Sequence, residues 1–158
     1  MDTSDSTPGT AAGYTRIVVG IDGSDASVEA LRHAIGIAEK FGSSVKAVTV
    51  WSYPISYTPV PVEWSPEGDA RQIVEQVATA VFGPVRPEWF TAATREGSPA
   101  LVLIDESASA DLIVVGSRGH GGFAGLLLGS VSSQCAEHAH CPVLVVHDPA
   151  AEARGATR

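Results

Sequence analysis

The stretch GSRGHGGFAGLLLGSVS, beginning at Gly116, gathers the densest set of groups able to grip an anion. Gly119 follows Gly116 by three residues, and the pair Gly129-Ser130 follows Gly119 by ten. Backbone without a Cβ lets a phosphate approach closely, so that several amide N–H groups can converge on it. Gly121 adds to this bare backbone, and Arg118 and His120 supply the cationic character of the neighbourhood. Ser130 starts a helix, which places its hydroxyl and the N–H groups of Ser130 and Val131 at the positive end of a helix dipole. A merely flexible glycine loop is the plainer reading. Against it, this loop follows an aliphatic strand, precedes a helix and stands at the crevice end of the sheet that the elements predict.

Other spacings point elsewhere and fit less well. Gly119-x-Gly121-x-x-Ala124 matches a dinucleotide fingerprint formally, with Asp148 after the next strand as the ribose acid. Its first glycine lags the strand by three residues, however, and no second half follows to hold a nicotinamide. A P-loop requires Gly-Lys-Ser/Thr after its glycines, and none is present. Cys135, His138, His140 and Cys141 invite a metal reading. Paired CxxC spacings are missing, Cys135 falls on the apolar side of a helix, and the histidines suit a helix C-terminus. No side-chain metal site is therefore expected. No serine or cysteine sits in a nucleophile-elbow setting, so no catalytic residue is assigned. Asp22 stands after the first strand, where an acid serves either as a turn or N-cap residue or as a ligand group. Beside phosphates it would act through Mg²⁺, which commonly takes one carboxylate plus phosphate oxygens; without the ion it would contact ribose hydroxyls.

The elements that must position these residues follow from periodicity. Aliphatic runs at 16–22, 45–51 and 111–116, a weaker one at 90–95 and a last one at 143–146 read as buried strands. Between them lie helical patterns. The first carries Val28, Leu31, Ile35, Ala38 and Phe41 on one stripe, with Ser24, Asp25 and Ser27 as capping oxygens and Gly42 as its close. The second runs from Pro66 to Phe82 with Ile73, Val74, Val77 and Val81 on one face, stopped by Pro84 and Pro87. The third spans about 98–109, with Leu101, Val102 and Ile104, and the last runs from Ser130 to near His140. Residues 52–65, rich in proline and aromatics, form a loop or lid. Such alternation marks βαβ units: one α/β domain with a five-stranded, doubly wound, Rossmann-like parallel sheet and helices on both faces. Ligands of such sheets sit beyond the carboxyl ends of the strands, where the strand order reverses.

Bulk properties bound the partners. The 158 residues suffice for one domain, and a hydrophobic content of 44% excludes a disordered chain. No apolar run reaches the roughly 18 residues of a membrane span. Ten basic against eighteen acidic residues give a net charge of −8 with no basic patch, which disfavours nucleic acid and anionic lipid. With two cysteines and no export signal, the cytoplasm is the expected location. Residues 1–14 and 149–158 read as frayed tails around a domain at 15–148.

The same motif is similar to the Gly-x2-Gly-x9-Gly-Ser/Thr signature of the ATP-binding branch of the universal stress protein family. The opening VVGIDGS with ASVEAL resembles that family's first strand and turn, and HCPVLVVHD resembles its last strand. The resemblance implies the strand order 3-2-1-4-5 and an adenine-nucleotide site. Gly20 and Asp22 would stand near ribose or phosphates, and Val50 would offer its backbone to the adenine edge. Gly116, Gly119 and Gly121 would border the ribose and phosphates, with Arg118 beside them, and Gly129, Ser130 and Val131 would hold the phosphates. The ligand implied is ATP, with Mg²⁺ as an accompanying ion. In that order Val143–Val146 is an apolar edge that invites pairing with its own twofold mate, so a homodimer is expected. A tail folded over the edge is the other outcome. The expected function is a nucleotide-binding stress-response sensor or regulator, not a dedicated enzyme. Slow hydrolysis or self-phosphorylation, for which Asp22 and His120 are the nearby polar groups but no arginine finger is evident, is one alternative. Cyclic AMP or AMP as the ligand, and a scaffold holding no nucleotide, are the others.

Overall fold

Short aliphatic runs without polar alternation suit strands covered on both faces, and five of them build the sheet. They are β1 (Arg16–Gly20), β2 (Ser44–Trp51), β3 (Phe90–Glu96), β4 (Leu112–Gly116) and β5 (Val143–Val146). The structure is a computed structural model that describes residues 13–55, 57–59, 61–119 and 128–148. Residues 1–12 and 149–158 of the expected tails lie outside the described residues, as do His120, Gly121 and Ala124. Every strand pairing is parallel, and the order is β3-β2-β1-β4-β5. Helices α1 (Asp25–Phe41), α2 (Pro66–Phe82), α3 (Pro99–Ser107) and α4 (Ser130–His138) alternate with the strands. This is the doubly wound architecture expected from the alternation of patterns.

Two core layers result. On one face α1 and α2 bury Leu31, Ala34, Val74 and Ala78 against Ile17, Val19, Val45 and Val114. On the other, α3 and α4 bring Leu103 and Cys135 onto Val18, Val48, Ile113 and Val115. Each fully buried aliphatic side chain contributes about 1.5–3 kcal/mol relative to exposure.

Local chemistry sets the element boundaries. Ser24 caps α1, its hydroxyl accepting from the Ser27 N–H at 3.2 Å, and Gly42 closes the helix in the left-handed region at φ 67°. Ser65 caps α2 in the same way, with Pro66 in its first turn. The amino ends of β1 and β4 are tied together: Asp111 Oδ2 accepts from the Thr15 and Arg16 N–H groups at 2.9 and 2.8 Å.

Several sequence expectations need correction. The first strand stops at Gly20, not Asp22, because the β1–β2 ladder ends there and the chain turns into the capping segment of α1. The third helix ends at Ser107, whose hydroxyl accepts from the His140 N–H at 2.8 Å, and the fourth ends at His138. The buried face of α1 is also rotated from the stripe of large residues. Ala26, Ser27, Ala30, Leu31, Ala34 and Ala38 are buried, Val28 and Ile35 are partly covered, and Phe41 is 53% exposed. Alanines at i, i+4 spacing bring the helix backbone close to the sheet, leaving no room for bulk. In α3, Leu101 is exposed, and Ala100 and Leu103 face inward instead. Among the described residues no helix is long and apolar enough to cross a membrane.

Candidate functional site

The strand order reverses at β1, whose neighbours β2 and β4 are reached through helices on opposite faces. Beyond the carboxyl ends of β1 and β4 the chain leaves a cavity of about 340 Å³, within the range of small-molecule sites. Its floor is apolar, made by Val48, Leu103 and Val115, and its rim is glycine, serine and charged. Of the sequence-predicted site residues, Gly20, Asp22, Val50, Gly116, Arg118, Gly119, Gly129, Ser130 and Val131 all line it. Gly121 lies outside the described residues.

Asp22 combines both of its sequence readings. Its Oδ1 accepts from the N–H and hydroxyl of Ser24, at 2.9 and 2.5 Å, making a turn that delivers the chain into α1. Its Oδ2 faces the other way, toward Gly119: a Cβ built on Gly119 would lie 2.5 Å from it. The carboxylate therefore lies against Gly119 at the cavity rim, one oxygen held by Ser24 and the other facing the glycine.

Val50 offers main-chain polarity. In a parallel ladder the N–H and C=O of one residue project toward the same neighbour, alternating sides along the strand. Ser44 and Val48 bond toward β1, through Thr15 O and the Ile21 N–H at 2.9 Å each, and Trp51 bonds toward the β3 side. Val50 thus turns its N–H and C=O toward the β1 side, two residues past the end of the β1–β2 ladder, and into the crevice.

The glycines have separate steric reasons. A Cβ on Gly116 would lie 2.8 Å from Ala26 Cβ and 2.9 Å from its carbonyl carbon, so bare backbone here lets α1 pack against the end of β4. Gly20 similarly leaves space for Leu103, 2.8 Å from a Cβ there. Gly129 donates its N–H to the Ser117 carbonyl at 2.6 Å, joining the two ends of the segment between them. None of these has a positive φ; Gly23, in the turn after Asp22, does, at 84°.

Electrostatics favour one end of the cavity for an anion. The N-termini of α1, α3 and α4 all approach it, through Ser24, Pro99 and Ser130. Asp25 and the adjacent Asp22 already neutralise the first of these. The first turns of α3 and α4 carry no acid, and Ser130 and Val131 stand at the start of α4, with Arg118 lining the same cavity beside Gly129. That combination of dipole and bare backbone suits phosphate.

Sequence reasoning missed the apolar floor and Ser132, and it reads Ser27 only as a capping oxygen, whereas Ser27 lines the cavity and its hydroxyl donates to Ser24 O. The floor residues sit in strands and a helix where they are indistinguishable from core. Ser132 is 1% exposed and bonds Ser117 O at 3.0 Å and Gly129 O at 3.1 Å; a small polar residue one helical turn into α4 was its only trace. Cys135 is fully buried and Cys141 partly so, and burial pushes both thiols up, away from the thiolate a metal would need. Among the described residues no three His, Cys, Asp or Glu side chains come together as ligands.

The sequence profile of the universal stress protein family matches residues 13–147. The chain belongs to the universal stress protein family. A universal stress protein of Methanocaldococcus jannaschii is 37% identical over 145 residues, covering 88% of this chain and 85% of that protein. One from Mycolicibacterium smegmatis is 37% identical over 131 residues, yet this chain spans only 45% of its length. Among solved structures, UspA from Lactobacillus plantarum superimposes with a TM-score of 0.65 at 28% identity, over 85% of this chain and 98% of that one. A universal stress protein solved in complex with cAMP gives a TM-score of 0.65 at 27% identity, over 86% of this chain and 98% of that one. The universal stress protein fold thus accounts for the sheet order.

Proposed function

We propose that this universal stress protein domain binds an adenine nucleotide, ATP, in the β1–β4 crevice, and serves as a cytoplasmic homodimeric sensor or regulator in a stress response, not as a dedicated enzyme. The observation that carries the reading is the pairing, in one cavity, of an acid-free helix start at Ser130 with the main-chain edge of Val50. The first suits phosphates and the second suits the hydrogen-bonding edge of a base, with Val48, Leu103 and Val115 as apolar contact. Gly119, Gly129, Ser130, Val131 and Arg118 would hold the phosphates, and Gly20 and Gly116 keep the walls close. Asp22, with Oδ2 turned toward the loop, would meet phosphates through Mg²⁺ or take ribose hydroxyls. Occupancy would then bias a partner-binding surface, a population shift set by differential affinity.

Titration calorimetry with ATP tests the assignment. Saturable binding to the wild-type protein, weakened at least tenfold (about 1.4 kcal/mol) in Gly119→Ala, is expected. Equal affinity in the two proteins would remove the glycine loop from the site. A solved relative at 27% identity is in complex with cAMP, which favours a cyclic nucleotide as the second reading. Displacement of labelled ATP by cAMP at lower concentration than by unlabelled ATP would replace ATP with that ligand.

The homodimer would form through β5. Its outward residues Val143 and Val145 turn their main chain away from β4, since Pro142 and Val146 accept the bonds from Ile113 and Ser117. Pairing with a second copy about a twofold axis would satisfy that edge.

A further inference from the structure

Ser132 stands one turn into α4 and is 1% exposed, so its hydroxyl is shielded from water and must be satisfied within the fold. It finds two carbonyls, Ser117 O at 3.0 Å and Gly129 O at 3.1 Å. Ser117 follows β4 and Gly129 immediately precedes α4, so this one hydroxyl touches both ends of the glycine segment. The Ser117 carbonyl also accepts from the Gly129 N–H at 2.6 Å, closing the same gap. The Gly129 carbonyl additionally accepts the first helical bond from Ser133, at 3.0 Å. A peptide unit is planar and trans, so a carbonyl held toward Ser132 turns the N–H of the same unit away from it. For the Gly129 unit that N–H belongs to Ser130, at the start of α4 and on the cavity wall. For the Ser117 unit it belongs to Arg118, which also lines the cavity and lies beside Gly129, its Cα 3.5 Å from where a Gly129 Cβ would stand.

We infer that Ser132 is a positioning residue for the phosphate end of the crevice, its buried hydroxyl fixing the separation and peptide orientation of the two walls, Arg118–Gly119 and Gly129–Val131. It acts through the Ser117 and Gly129 carbonyls and not by touching the ligand. The inference rests on the adenine-nucleotide reading of the cavity. It adds that phosphate affinity depends on a group directed away from the phosphates, because donors aimed in advance need no reordering on binding. In the unlatched state the Ser117 carbonyl retains only the Gly129 N–H, and the two walls can spread.

Ser132→Ala keeps the size of the site and the helix and removes only the donor. Measured by calorimetry, ATP affinity is expected to fall about tenfold, whereas adenosine, which shares the base and ribose but lacks phosphates, binds as in the wild type. Amide exchange of Gly129 in the ligand-free protein is expected to accelerate about tenfold, reading the latch without any ligand. Ser132→Cys, with a weaker donor of similar size, falls between wild type and Ser132→Ala in both readouts and serves if the alanine variant does not fold. Equal loss of ATP and adenosine binding would indicate general damage and overturn the inference, as would unchanged Gly129 exchange. A wild-type protein that binds neither compound overturns the nucleotide reading, and the inference with it, even where Gly129 exchange responds.

Discussion

A methyl group added at Gly119 would meet only the Asp22 carboxylate, at 2.5 Å, whereas one added at Gly116 would meet the Cβ and backbone of Ala26, at 2.8 and 2.9 Å. A carboxylate can swing aside; a packed helix cannot. Gly116→Ala is therefore expected to lower stability by about 1–3 kcal/mol, as overpacking does, read from the urea midpoint. Gly119→Ala should leave that midpoint nearly unchanged and instead disturb Asp22 and, under the proposed function, nucleotide binding. The converse result, a stable Gly116→Ala and an unfolded Gly119→Ala, would reverse these roles. The motif spacing singled out both glycines, which line one cavity, but not that Gly116 is required by α1, since Ala26 is ninety positions away in sequence. Asp22 was legible as an acid after a strand. That its two oxygens divide between turn and cavity depends on Ser24 and Gly119 together, which no local pattern encodes. Ser132 was invisible for a related reason, since serine at that position serves equally as surface, cap or latch.

At the scale of elements, the connection from α2 to β3 is held partly by charge. Arg86 donates to the Glu75 carboxylate, and this hydrogen bond and the guanidinium's charge hold the Glu75 pKa below its ordinary 4.5. A depressed folded-state pKa means that the unfolded chain binds the proton more readily. The stabilisation is accordingly complete above about pH 4.5 and is lost as pH falls through the folded value. Urea midpoints of wild type and Arg86→Met, taken between pH 3 and 7, should differ above about 4.5 and converge below it. A gap that widens toward acid would contradict the assignment. Glu75 is half exposed, so the gap should be small and should shrink further with salt. The element order itself was readable because strands covered on both faces leave unbroken aliphatic runs such as LIVV at 112–115. The packed face of α1 departs from the stripe of large residues because closeness of approach, marked by Ala26, Ala30, Ala34 and Ala38, controls it more than hydrophobic size does. The ends of α3 and α4 were overrun because the contact that arrests them, Ser107 with the His140 amide, joins distant segments.

For the whole molecule, β5 as the sheet edge was legible once the strand order was in hand, and its four-residue length matches the aliphatic run at Val143–Val146. Val145→Pro removes an outward N–H and leaves the bonds to β4 intact. In sedimentation equilibrium the wild type is expected as a dimer and Val145→Pro as a folded monomer; a variant still dimeric would move the interface elsewhere. The pairing of β1 with β4 has a consequence of a different kind, concerning when the crevice exists. Thr15 and Asp111 touch across 96 positions, and Ser130 comes later still. While the chain is being synthesised, β1, α1 and β2 emerge with one wall of the cavity and nothing opposite it. No nucleotide can gain a hold on that half, so a ligand cannot guide its early folding. Under the proposed function, its effect would be confined to the nearly finished domain, which it would stabilise by mass action. On that reading, cellular nucleotide levels would govern how long the folded domain persists and leave the rate at which its first half takes shape unchanged.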